Sequence, residues 1–162
     1  MANLLNPMPI PFEVKKKNRF LFTFPSELGI NQWYIESGAR PKFNVNPVAI
    51  PYLNFEVYVA GRVTFDPISV TFRDPIGPSA SQALMEWMRL CAETVTGRMG
   101  YAAGYKKDVY IEMLDPNGVT IEKWLLQGTF LSDVNFGDLS YSDDGLATIS
   151  ATLRYDRPIH LF

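Results

Sequence analysis

Few residues in this 162-residue chain could carry acid–base, nucleophilic or metal chemistry, and their spacing does not favour it. The one histidine, His160, lies in the closing apolar run Ile159-His160-Leu161-Phe162. A Ser-His-Asp or Cys-His set needs an imidazole oriented by its neighbours, so His160 reads as a tail contact. The one cysteine, Cys91, excludes an intramolecular disulfide framework and a Cys-based zinc site. Helical spacing puts it on an apolar stripe, the setting of a small buried hydrophobe rather than of a reactive thiol. Glu112 and Glu122 flank the turn sequence Asp115-Pro116-Asn117-Gly118. With Asp115 facing Val119, Glu112 would face Glu122 and Tyr110 would face Trp124. Two facing carboxylates could share a proton as acid and base. Opposed like charges on a sheet are also tolerated when solvated or paired elsewhere, and that is the preferred reading. The aspartates of 138–144 are those a turn collects, with no calcium-loop spacing. No phosphate-binding or dinucleotide glycine motif occurs. Lys15-Lys16-Lys17 is a short run expected to be solvated or paired with acidic neighbours. No catalytic residue, metal or cofactor is expected.

Composition narrows the class further. Hydrophobic residues make up 47% and charged residues 20%, the balance of a folded domain. One domain of this length can bury a real core. Aromatic residues reach 14% and much of this share sits in alternating runs, which favours strands. A net charge of −2 lacks the basic footprint of a protein that grips phosphates. Contact with nucleic acid should therefore be loose. No leader pattern and no apolar run of membrane-spanning length is apparent, so a protein made in a cytoplasm is expected.

The elements that would position these residues are mainly strands. Phe20, Phe22 and Phe24 alternate with Leu21 and Thr23. Leu53, Phe55, Val57 and Val59 alternate with polar or aromatic neighbours. Ala60-Gly61 reads as a turn into Val63, Phe65, Ile68, Val70 and Phe72, so 52–73 reads as one long hairpin, with a bulge or edge at Pro67. Ser79 and Gln82 have capping-box spacing and Gly97 stands where a C′ glycine belongs, which predicts a helix with Leu84, Trp87, Met88, Cys91 and Val95 on one stripe. A Gly- and Tyr-rich loop over 98–108 and the hairpin around Asp115–Gly118 follow, then a strand near 129–134. The last strand is clearest: Ala147, Ile149, Ala151, Leu153 and Tyr155 alternate with Thr148, Ser150, Thr152, Arg154 and Asp156. Three regions result: an extended proline-rich arm over 1–17, a β-domain over 18–157 and an apolar tail over 158–162. The fold class expected is mainly β, two packed antiparallel sheets forming a small barrel or sandwich with one flanking α-helix. Apolar termini and strand edges without ligand chemistry call for partners.

At this level the residues resemble a known family. The run Asn54–Asp74 with Val59-Ala60-Gly61-Arg62-Val63-Thr64-Phe65-Asp66, the helix with Trp87, and Tyr105-Lys106-Lys107 follow the order seen in tail tube proteins of T4-like contractile bacteriophages. So do Leu114-Asp115-Pro116-Asn117-Gly118, Glu122-Lys123-Trp124-Leu125-Leu126-Gln127-Gly128, Val134–Leu139 and the strand ending at Tyr155-Asp156. The resemblance covers about 18–157 and implies a structural subunit of a virion tail. Hexameric rings would stack into a hollow tube inside a contractile sheath, and inner strands would join across subunits around a lumen that conducts DNA. The implied partners are further copies of the chain, a sheath protein, and baseplate and terminator proteins, with DNA passing unbound and no membrane. Thr148, Ser150 and Thr152 are the lumen-facing candidates, on a lumen assigned to the hairpin 52–73 and the strand 145–156. Leu4, Leu5, Ile10, Phe12, Tyr58, Arg62, Leu161 and Phe162 are the candidates for contacts between subunits. The alternatives are a tube initiator next to the baseplate, the inner tube of a phage-derived injection system, and a monomeric β-barrel ligand binder.

Overall fold

Alternation of apolar residues with a period of two builds most of this molecule, seen here in a computed structural model that describes residues 12–162. Among the described residues nine strands form: β1 (Phe20–Thr23), β2 (Ile35–Ser37), β3 (Phe43–Tyr52), β4 (Phe55–Phe65), β5 (Ile68–Arg73), β6 (Lys107–Leu114), β7 (Thr120–Asn135), β8 (Thr148–Arg154) and β9 (Arg157–His160). Between β5 and β6 lie the helix α1 (Ala80–Cys91) and the single turn α2 (Ala102–Tyr105). Seven strands make one antiparallel sheet in the order β1-β6-β7-β8-β5-β2, with β9 also on β7. Among the described residues β3 and β4 pair only with each other. The architecture is thus mostly β with one principal flanking helix, the fold class expected from the sequence.

The core lies between the curved sheet and α1. Ile68, Val70 and Phe72 of β5, Val109 and Ile111 of β6, and Ile149, Ala151 and Leu153 of β8 are all buried. From α1, Ala80, Ala83, Leu84 and Trp87 close over them. Phe24 packs against Phe72 and Trp87 at 6.0 and 6.1 Å between ring centroids. The Trp87 Nε1–H donates to the Tyr105 carbonyl at 2.9 Å, so the largest core side chain keeps its polar atom satisfied.

Three expectations need correction. Ala60-Gly61 is not a turn: β4 runs through it, and the hairpin turns at Leu53–Asn54 instead. Gly61 is needed because β3 lies close there, where a Cβ would stand 2.6 Å from the Asn46 carbonyl oxygen. The break at Pro67 is real, and β5 beyond it leaves the hairpin for the main sheet. Second, α1 ends at Cys91. Ala92 is extended and pairs with Met99, so Gly97 sits in a separate turn and Val95 is exposed. Ser79 is the residue before the helix, but its hydroxyl binds Asp74 at 3.3 Å rather than capping the helix, and Gln82 bonds Glu86. Third, the strand near 129–134 is the second half of β7, whose first half pairs with β6 and β9.

Candidate assembly surface

The hairpin of β3 and β4 leaves the body with no further strand partner among the described residues, so its chemistry follows from its two faces. Its register pairs Val48 with Val59, Ile50 with Val57 and Tyr52 with Phe55. Because side chains alternate across a strand, these six share one face, and all six are exposed. The other face carries Phe43, Val45, Pro47, Ala49 and Pro51 opposite Phe65, Val63, Ala60, Tyr58 and Glu56. Monomers rarely expose contiguous apolar patches of more than a few hundred Å². Leu53 at the tip is 86% exposed and holds a φ of +52, a conformation that costs a branched side chain energy.

The root of the hairpin is fixed firmly to the body. Phe43 packs on Phe65 and on Trp124, at 5.4 and 6.0 Å. Phe65 meets Tyr155, whose hydroxyl donates to the Asp66 carbonyl at 2.6 Å. Burial pushes the Tyr155 phenol up. Lys42 pairs with Asp66 at 3.1 Å. Beneath this lies Glu122, 4% exposed, which accepts from the Trp124 indole at 2.6 Å, from Arg40 at 3.4 Å and from Lys15. Burial alone would raise this carboxyl. The hydrogen bonds from Lys15 and Trp124, with the charges of Lys15 and Arg40, outweigh it and hold the carboxyl down at about 2.

Glu122 does not face Glu112. A bulge between Met113 and Leu114 shifts the register, so Glu112 faces Lys123 and pairs with it at 3.0 Å. Ile111, not Tyr110, faces Trp124. The turn itself forms as expected, with Asp115 N–H donating to Val119 O and Gly118 at φ +83. The bulge separates the two carboxylates onto different cations, and no acid–base pair results. Among the described residues no group of three or more His, Cys, Asp or Glu is placed to hold a metal. Cys91 is half-buried and free. His160 stacks on Trp124 at 4.5 Å as a tail contact.

Of the residues proposed from sequence for contacts between subunits, Leu4, Leu5 and Ile10 lie outside the described residues. Phe12, Tyr58, Arg62, Leu161 and Phe162 are exposed. The last two are not on a loose tail: β9 pairs with β7, and the Leu161 and Phe162 backbones bond Lys123 at 2.8 and 2.9 Å. Thr148, Ser150 and Thr152 share the outer face of β8, with Ile149, Ala151 and Leu153 buried behind. Sequence reading missed their neighbours. β5 sets Ser69 opposite Thr152 and Thr71 opposite Ser150, while β7 sets Asn135 opposite Ser150. A strip of small hydroxyl and amide side chains therefore crosses three strands, with Asp133 opposite Thr152 and Arg73 opposite Thr148. Its signal was present in Ile68–Arg73, whose alternation was assigned to the hairpin.

No protein-family model matches the chain. A curated relative, the tail tube protein gp19 of Enterobacteria phage T4, is 27% identical over 137 residues, 81% of this chain and 83% of its own length. Among solved structures, the tube-terminating cap of the anti-feeding prophage superposes with a TM-score of 0.72 at 17% identity, covering 99% of this chain and 98% of that one. A chain of the PVC sheath–tube complex, an extracellular contractile injection system in its extended state, gives 0.72 at 14% identity and covers 93% of both chains. The chain shares the fold of proteins from tail-tube and contractile-injection assemblies, not a fold particular to T4-like phages.

Proposed function

We propose that this chain is a tube subunit of a contractile injection machine, assembling with copies of itself into rings around a lumen. The observation that carries the reading is the β3–β4 hairpin, apolar along one whole face and without a strand partner among the described residues. A second copy supplies that partner and removes the exposed strand edges. The Ser, Thr and Asn strip across β5, β8 and β7 supports a lumen wall: it offers hydrogen bonding, and with Asp133 to balance Arg73 it carries no dense positive charge, so a passing chain would slide rather than stick. The fold likeness extends equally to a tube-terminating cap and to a sheath–tube complex. It favours the inner tube or an end ring of a phage-derived injection system over the DNA-conducting tube of a T4-like virion. The latter remains the second reading, supported by the 27% identity to a phage tail tube protein. Sheath and baseplate partners, a ring of six and an extracellular tube follow from the same proposal.

Negative-stain microscopy of the concentrated protein tests it. Long tubes support a tube-body subunit, and rings that stop at one layer support an end ring. Isolated particles of a single chain at high concentration contradict both.

A further inference from the structure

Two stretches of chain carry the β3–β4 hairpin: the entry over 38–42 and the exit at Asp66-Pro67. The exit is fixed to the body directly, since the Tyr155 hydroxyl donates to the Asp66 carbonyl at 2.6 Å. Lys42 ties the entry to that exit, its ammonium 3.1 Å from the Asp66 carboxylate and its carbonyl accepting from the Asp66 N–H. Arg40 ties the entry to the body, at 3.4 Å from Glu122 of β7. On the other side of Glu122 lies the segment that leads into β1. A cavity of about 330 Å³ is lined by both stretches, Lys15 and Lys17 from the one and Gly38, Ala39 and Arg40 from the other. Among the described residues no hydrogen bond or ion pair joins the two directly. They meet through one carboxylate, Lys15 on its Oε2 and Arg40 on its Oε1.

We infer that Glu122 latches the segment before β1 to the root of the hairpin, with Lys15 as the positioning residue that keeps the 38–42 entry in place on the body. The inference stands on contacts within one chain and is independent of the ring-subunit reading. A carboxylate as buried as Glu122 needs its charge compensated. Two cations and the Trp124 indole do so together. Without Lys15 that demand falls on Arg40 and the indole alone, so either Arg40 closes in or water enters. Both outcomes shift the entry, and Arg40 stands only three residues before Phe43. Phe43 passes the shift into the root through its contacts with Phe65 and Trp124. The cavity beside the entry leaves room for such a movement without forcing the core apart. Lys15 and Arg40 are themselves largely exposed and can trade the carboxylate for water, whereas Glu122 cannot. The latch can therefore open while the body stays folded. A contact that draws the segment before β1 off the body would loosen the hairpin, which makes that segment a control on the surface the hairpin presents.

Amide hydrogen exchange of the full chain, parent and variants at one concentration, tests the latch. Lys15→Met should speed exchange over 38–45 by about tenfold and leave β5 and β8 as in the parent, which also shows that the variant is folded. Lys15→Arg keeps the cation and should stay within about twofold of the parent. Lys16→Met removes a charge from the same segment but none from Glu122, and should do likewise. In a Glu122→Gln background no buried charge calls for a cation, so Lys15→Met should add less than about twofold. Faster exchange confined to 12–19 overturns the latch, as does a Lys15→Met effect that persists in full beside Glu122→Gln. If Glu122→Gln does not fold, equal exchange in Lys15→Arg and Lys15→Met overturns it instead.

Discussion

Glu122 gathers a lysine from the N-terminal segment, an arginine from the segment entering β3 and an indole from its own strand around one nearly buried carboxylate. Its folded value of about 2 lies below its ordinary 4.5, so the unfolded chain holds the proton more tightly. The resulting stability is complete above about pH 4.5 and is lost as pH falls toward 2. It amounts at most to about 3 kcal/mol. Glu122→Gln should lower the unfolding temperature at pH 7 and flatten its decline between pH 5 and pH 3. Parallel declines for variant and parent would contradict the assignment. The sequence marked Glu122 as a carboxylate of interest but paired it with Glu112, because a one-residue bulge leaves no trace in a strand's alternation. Lys15 and Arg40 stand too far off in sequence for spacing to connect them.

At the scale of elements, legibility followed solvent contrast. β8 has one wet and one buried face and could be read residue by residue; the alternation of β5 was equally visible but was assigned to the hairpin. β3 could not: Pro47 and Pro51 argue against a strand, and only an unpaired edge accommodates them at that spacing. Gly61 was taken for a turn because a glycine at a close approach and a glycine in a turn look alike in sequence. Gly61→Ala would press a methyl group against the Asn46 backbone, so faster amide exchange confined to β3 and β4 is expected. Exchange unchanged in the hairpin would show that the approach relaxes at no cost. The helix behaves differently, since Trp87 is 1% exposed and packed on Phe24. Trp87→Ala should destabilise the monomer by about 4 kcal/mol, read by chemical denaturation. Val57→Asp, on the exposed hairpin face, should change monomer stability by less than about 0.5 kcal/mol yet suppress assembly, read by light scattering. Equal effects on both quantities would mean that the face packs within the monomer.

For the whole molecule, the proposal of an assembly unit rests on the division between a buried sheet with its helix and a projecting apolar hairpin. The body closes its own core, with no buried side-chain polar atom unpartnered among the described residues. The hairpin has the opposite economy, and its apolar face makes sense only in contact with something else. Composition and alternation made the mainly β class legible. The exposed hairpin became visible only once the pairing of β3 with β4 left both without another strand among the described residues. The most direct test is microscopy of the purified chain across a concentration series. The account predicts rings with a central channel, stacking into tubes or stopping at one layer. A uniform population of single 18.3 kDa particles at the highest concentration would contradict it.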